Sequence, residues 1–150
     1  MFTRALIAFI ALPGMVAYAI PAAWLWLWLS GPTRLAQPLG LILLVIGSFA
    51  LVWCVRDFFV CGKGTLAPWA PPKTLVVVGL YRISRNPMYV AVVLVLVGWS
   101  VSFASTGLLA YTVAVAIGFH LRVVLGEEPW LARTHGSQWA HYVTRVRRWI

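Results

Sequence analysis

Four apolar runs, roughly Ala5 to Leu29, Leu39 to Val60, Met88 to Phe103 and Gly107 to Leu125, leave this chain few ways to fold. A spanning helix needs about 20 mostly apolar residues. Backbone inside lipid must satisfy its own hydrogen bonds, which restricts it to helices or closed barrels. Of the 150 residues, 62% are hydrophobic and 10% charged, and the mean hydropathy is +0.89. The expectation is an all-α integral membrane protein of about four spans in a single domain, residues 1–150, with two spans in 1–60 and the functional half in 61–150. Only Ala104-Ser105-Thr106 separates the third run from the fourth, so these two should form a tight antiparallel hairpin. Gly40, Gly47 and Gly98 suit close helix packing, within one chain or between two.

Positive charge near span ends is retained on the cytoplasmic side. Four spans put Arg4, Arg56, Lys63, Lys73, Arg82, Arg85, Arg122, Arg133, Arg145, Arg147 and Arg148 on one side and Arg34 on the other. Both termini are therefore expected in the cytoplasm, in a multi-pass protein of the inner membrane. All three acids, Asp57, Glu127 and Glu128, fall on the same side, which places any polar chemistry there. The net charge of +9 does not indicate a nucleic-acid partner, because the cations flank apolar helices instead of forming a soluble basic surface. Arg4 followed by apolar residues and Ala17-Tyr18-Ala19 imitates a cleavable leader. The run continues to Leu29, however, so an uncleaved first span is expected, anchored by Trp24, Trp26 and Trp28 at the interface.

Several chemistries are disfavoured. Cys54 and Cys61 form no C-x-x-C pair for thiol exchange, and His120, His135 and His141 lack metal-ligand spacing. The loop Cys61 to Pro72 puts Lys63 between two glycines with no strand before it, unlike a phosphate-binding loop. Its prolines and glycines read as a rigid connection or as part of a pocket wall. A small transporter or scaffold without chemistry is the alternative to an enzyme, but ion-coupled exporters depend on an acid in mid-span and none lies there.

The polar material that remains is concentrated. In Gly79-Leu80-Tyr81-Arg82-Ile83-Ser84-Arg85-Asn86-Pro87-Met88-Tyr89, Gly79 permits an unusual backbone angle and Pro87 suits the first turn of a helix. A helix should start just after two arginines, and its free N–H groups form a natural anion site. Glu127-Glu128, before Pro129, should end the fourth span, where the helix dipole opposes carboxylates unless a cation compensates. The hairpin would bring these two segments into one cleft with both anion-binding and cation-binding groups.

The chain resembles the superfamily of isoprenylcysteine carboxyl methyltransferases and phospholipid methyltransferases. The resemblance rests on Leu75-Val76-Val77-Val78-Gly79-Leu80-Tyr81-Arg82, Arg85-Asn86-Pro87-Met88-Tyr89, Glu127-Glu128, Leu131, Gly136, Tyr142 and Val146-Arg147-Arg148 in order and spacing. It covers the C-terminal half, from about Gly62. Many members carry His where this chain has Asn86, and the carboxyl methyltransferases carry Arg where it has Val123, with Arg122 displaced by one.

The resemblance implies S-adenosylmethionine as methyl donor. Arg85, Asn86 and Glu127 are then the expected catalytic centre. Lys73, Thr74, Leu75, Val76, Tyr81, Asn86, Pro87, Met88, Tyr89, Glu127 and Glu128 are the expected cofactor-binding set, and Arg122 would meet the substrate. A carboxylate suits the donor's amino group, helix N–H groups suit its carboxylate, and tyrosine faces suit its sulfonium. Methyl transfer by in-line displacement needs no metal. The acceptor would be lipid-borne, a prenylcysteine-like carboxylate or a phospholipid headgroup, and no histidine or acid stands out as a dedicated base. From Pro129 to Ile150, aromatic and basic residues alternate as in an interfacial helix, bent near Gly136, that covers the cofactor or anchors the chain.

Overall fold

The computed structural model describes residues 10–28, 36–62 and 74–150. Lys73, the loop before it, Arg4 and Arg34 lie outside the described residues. The described residues are helical, without strands.

Helix α1 begins as a π-helix, Ile10–Ala19, and continues as an α-helix, Ile20–Trp28. Helix α2 is Pro38–Gly62 and α3 is Pro87–Ser102. Helix α4, Thr106–Arg122, runs through a π-helical turn, Val123–Glu127, into α5, Glu128–Arg145. Two stretches, Pro38–Cys61 and Thr106–Arg145, are long and apolar enough to cross a membrane; the apolar helices Pro13–Leu27 and Pro87–Ser102 are shorter. The protein is an all-α integral membrane protein.

Helices α2 and α3 pack along their lengths, and glycine makes this possible. A β-carbon on Gly40 would lie 2.2 Å from the Ser102 nitrogen, one on Gly98 2.6 Å from the Leu44 nitrogen, and one on Gly47 2.8 Å from the Val95 nitrogen. The three contacts step in opposite directions along the two helices, so the pair is antiparallel in one register. All three glycines thus pack within the chain. Leu51, Ala91, Val92, Val95 and Leu96 continue this seam as the core, while Ile42, Val45, Phe49 and Val52 project outward as an apolar face suited to lipid.

Polar side chains tie α1 to the bundle. Tyr18 donates to Ser48 Oγ at 2.7 Å, Trp99 Nε1 to the Ala17 carbonyl at 3.0 Å, and the Tyr111 hydroxyl to the Val16 carbonyl at 3.2 Å. Such interhelical bonds contribute about 0.6 to 2 kcal/mol each in a bilayer. The hairpin closes tightly between α3 and α4, with Ala104 at φ 47° and Ser105 Oγ capping the Leu108 amide at 3.3 Å.

The helix does not end at Glu127. Pro129 has no N–H to give to the preceding turn, and the widened π turn lets the chain pass into α5 without that bond. A helix dipole ending at Glu127-Glu128, expected from sequence, is therefore absent. Gly136, at φ 48° and ψ −117°, bends α5 at the position expected for a break. Trp139, Tyr142 and Val146 then pack against Leu75 and Leu131, and the chain end returns to the start of α3.

Candidate functional site

The turn Gly79–Arg82 carries Tyr81 into a cluster with Cys54 and Val76 against Met88. The backbone then reaches Pro87, the first residue of α3. Ser84 and Arg147 form a parallel bridge, and the Arg85 amide donates to the Arg147 carbonyl at 2.9 Å. Asn86 uses its amide to reach Ser84 Oγ at 3.1 Å and its Nδ2 to reach the Arg148 carbonyl at 3.1 Å. The Arg85 and Asn86 amides are thus occupied within the chain. The Met88 and Tyr89 amides remain as first-turn donors without an intrahelical partner.

The hairpin joins the two polar segments. Tyr89 donates its hydroxyl to Glu127 Oε1, and its ring lies 4.4 Å, centroid to centroid, from that of Phe119. Arg122 Nε reaches the same Glu127 oxygen at 2.7 Å. Glu127 Oε2 makes no hydrogen bond among the described residues.

Glu128 is occupied differently. Arg85 Nη1 approaches its Oε1 at 2.9 Å, while Arg148 grips both oxygens. This contact raises the proton affinity of the Arg148 guanidinium, chiefly through its hydrogen bond to the carboxylate. Arg85 also lies 5.6 Å from the Trp139 ring centroid, and its Nε is buried without a hydrogen-bond partner among the described residues. Three arginines therefore compensate the two carboxylates, the role assigned from sequence to a bound cation.

The other expected residues divide by position. Thr74 is exposed and donates to the Cys61 carbonyl at 2.7 Å, closing the end of α2. Leu75 packs toward Trp139 and Tyr142, and Val76 toward Cys54 and Tyr81, so both side chains serve packing. The Tyr81 carbonyl accepts from the Tyr142 hydroxyl at 2.6 Å. Burial pushes the Tyr81 hydroxyl well above the usual tyrosine range, and Cys54, Tyr142, Tyr89 and Asp57 add to the shift. The Tyr81 hydroxyl makes no hydrogen bond among the described residues.

Trp139, Arg148 and Asp57 also stand in or beside this network, although the sequence suggested no site role for them. Arg148 lies 20 residues from Glu128, and no local pattern links them. Asp57 did carry a signal, as the only acid inside an apolar run.

The family model described as phospholipid methyltransferase matches residues 35–138, more than half of the chain. The match includes Leu75 to Tyr89, Arg122 and Glu127-Glu128, and stops short of Tyr142 and Arg148. No curated protein and no solved structure matches the chain.

Proposed function

The chain belongs to the phospholipid methyltransferase family, within the superfamily of membrane methyltransferases, and on that premise we propose that it uses S-adenosylmethionine to methylate a lipid-borne acceptor at the cytoplasmic face. The acceptor is a phospholipid headgroup or a prenylcysteine-like carboxylate. The contact between Tyr89 and Glu127 carries this reading, because it sets a carboxylate beside the first-turn amides of α3.

The donor set fits the amino-acid end of S-adenosylmethionine. Glu127 Oε2 is an acidic oxygen without a partner among the described residues, and it would accept from the α-ammonium. The Met88 and Tyr89 amides and the unpartnered Arg85 Nε would donate to the α-carboxylate. The extended segment 74–76 would offer backbone groups to the adenosyl part, its apolar side chains being already packed.

When bound, the group supplies an electrophilic methyl on a sulfonium. Tyr81 and Tyr89 would flank that cation, contacts of about 0.5 to 2 kcal/mol. Arg122, half-exposed and holding Glu127, would direct its outer nitrogens toward an acidic headgroup. Arg85 and Asn86 fix the start of α3 against the returning chain end, and α5 would cover the bound donor through Trp139 and Tyr142, which pack against Leu75. Alignment of this kind is worth about 7 to 11 kcal/mol in a displacement between held reactants.

The test is to incubate membranes containing the protein with methyl-labelled S-adenosylmethionine and identify labelled lipid by mass spectrometry. Label in a lipid that control membranes lack supports the reading. Failure of the folded, purified protein to bind S-adenosylmethionine in calorimetry would overturn it.

A further inference from the structure

The chain has 3 acids against 12 lysines and arginines, and each acid is already taken. Asp57 pairs with Arg56, Glu127 with Arg122, and Glu128 with both Arg85 and Arg148. Arg82, Arg145 and Arg147 are exposed and pair with no acid among the described residues. The donor set of the candidate site uses none of their side chains.

The fold brings these three arginines to one place. The Tyr142 hydroxyl donates to the Tyr81 carbonyl at 2.6 Å, and Ser84 forms a parallel bridge with Arg147, so the stretch 81–84 runs beside the stretch 142–147. Arg82 lies between the two contacts on one stretch, Arg145 lies between them on the other, and Arg147 stands at the bridge itself. Like charges gathered in this way repel, and no carboxylate of the chain is left to offset them. Two apolar side chains share the same surface, Ile83 at 64% exposed and Ile150 at 77%. Water solvates that apolar surface poorly.

Guanidinium groups beside exposed isoleucines, at the end of the bundle where α3 begins, match the boundary of an anionic bilayer. A phosphate suits the arginines, and the acyl region beneath it suits Ile83 and Ile150. A soluble phosphate would meet the charges alone.

We infer that Arg82, Arg145 and Arg147 hold the phosphate of an anionic phospholipid, which clamps the chain end onto the start of α3. The Arg147 carbonyl receives the Arg85 amide at 2.9 Å, and the Arg148 carbonyl receives Asn86 Nδ2 at 3.1 Å. A phosphate that draws Arg147 toward Arg82 therefore tightens the seam that sets Arg85 against Glu128. The lipid acts as an activator at the rim of the site and is not the methyl acceptor. Its effect on donor binding rests on the methyltransferase reading, whereas the clamp does not.

The experiment places the protein in bilayer discs of phosphatidylcholine alone, or of equal parts phosphatidylcholine and phosphatidylglycerol. Amide exchange at Arg85 and affinity for S-adenosylmethionine are measured in each. Phosphatidylglycerol should slow the exchange and tighten donor binding about fivefold or more, the low end of ordinary coupling between two sites. Both effects should fade at high salt. The triple substitution Arg82→Gln, Arg145→Gln and Arg147→Gln should abolish both responses while leaving the values in phosphatidylcholine unchanged. Arg147→Gln alone should lose most of the response. Arg133→Gln, which removes a charge from α5 where Arg133 bonds to the Pro129 carbonyl, should keep it.

Equal responses in wild type and the triple variant, or a loss in Arg133→Gln as large as in Arg147→Gln, would overturn the site and leave only diffuse attraction to the membrane. Glycerol phosphate added to phosphatidylcholine discs should change nothing, and protection by it would overturn the lipid assignment. Wild type that binds no S-adenosylmethionine in either disc would remove the methyltransferase reading, while exchange at Arg85 would still decide the clamp. If the triple variant does not fold, the comparison of Arg147→Gln with Arg133→Gln decides by the same criterion.

Discussion

Arg148 grips the Glu128 carboxylate with two parallel hydrogen bonds, Nε to Oε1 at 3.0 Å and Nη2 to Oε2 at 2.8 Å. The planar fork of arginine suits this geometry and the point charge of lysine does not. The pair fastens the chain end across the start of α3, where the Arg147 and Arg148 carbonyls receive the Arg85 amide and Asn86 Nδ2.

Arg148→Ala should loosen this closure without unfolding the bundle, because Arg85 still meets Glu128 at 2.9 Å. Arg148 is partly exposed, so the loss should be about 1 kcal/mol or less, read as a small drop in melting temperature. Arg148→Lys should not restore the wild-type value, and amide exchange should quicken at Arg85.

Glu127→Gln should weaken S-adenosylmethionine binding at least tenfold, about 1.4 kcal/mol, measured by calorimetry in detergent. The amide keeps the size of the side chain and can still accept from Tyr89. An unchanged affinity would show that Glu127 does not receive the amino group.

Gly79→Ala should be among the costliest single-methyl changes in the chain. The residue would be held at φ 54° with its β-carbon 2.1 Å from Asp57 Oδ2 and 3.1 Å from Trp53 Nε1. The left-handed backbone alone costs about 1 to 2 kcal/mol, before the carboxylate is displaced. Gly118→Ala, which meets nothing within 4 Å, should be tolerated or mildly stabilising. Thermal melts of the two variants provide the comparison.

Gly98→Ala should separate α2 from α3, because the new methyl would meet the Leu44 backbone nitrogen at 2.6 Å and backbone cannot turn aside as a side chain can. A stability loss of roughly 1 to 3 kcal/mol is expected from such overpacking. It should be seen as a lower melting temperature in detergent.

Tyr81 should make the protein sensitive to alkali. Burial, and then Cys54, Tyr142, Tyr89 and Asp57, hold its folded-state value above the ordinary 10.0. Its contribution is therefore fully present below pH 10 and is lost as pH rises through the interval up to the folded value. Tyr81→Phe should reduce the fall in melting temperature between pH 9 and pH 11.5. An identical fall in both proteins would show that other groups govern it.

The membrane class, the hairpin and the helix start at Pro87 were legible in the sequence because each depends on neighbours in the chain. Apolar length decides whether a segment can lie in lipid, a three-residue link forces antiparallel packing, and proline presets the first turn. The bend at Gly136 was legible for the same reason, as were the two polar segments from which the candidate site is built. Tertiary structure decided which partner each charge takes. Glu127 shares one oxygen between Tyr89 and Arg122, Glu128 lies between Arg85 and Arg148, and Asp57 extends into the space left by Gly79. The glycines on α2 and α3 were recognisable as packing residues, but only the folded register showed that they meet within one chain. These pairings join residues distant in sequence, and they follow from helix register and from the return of the chain end, which no local pattern encodes.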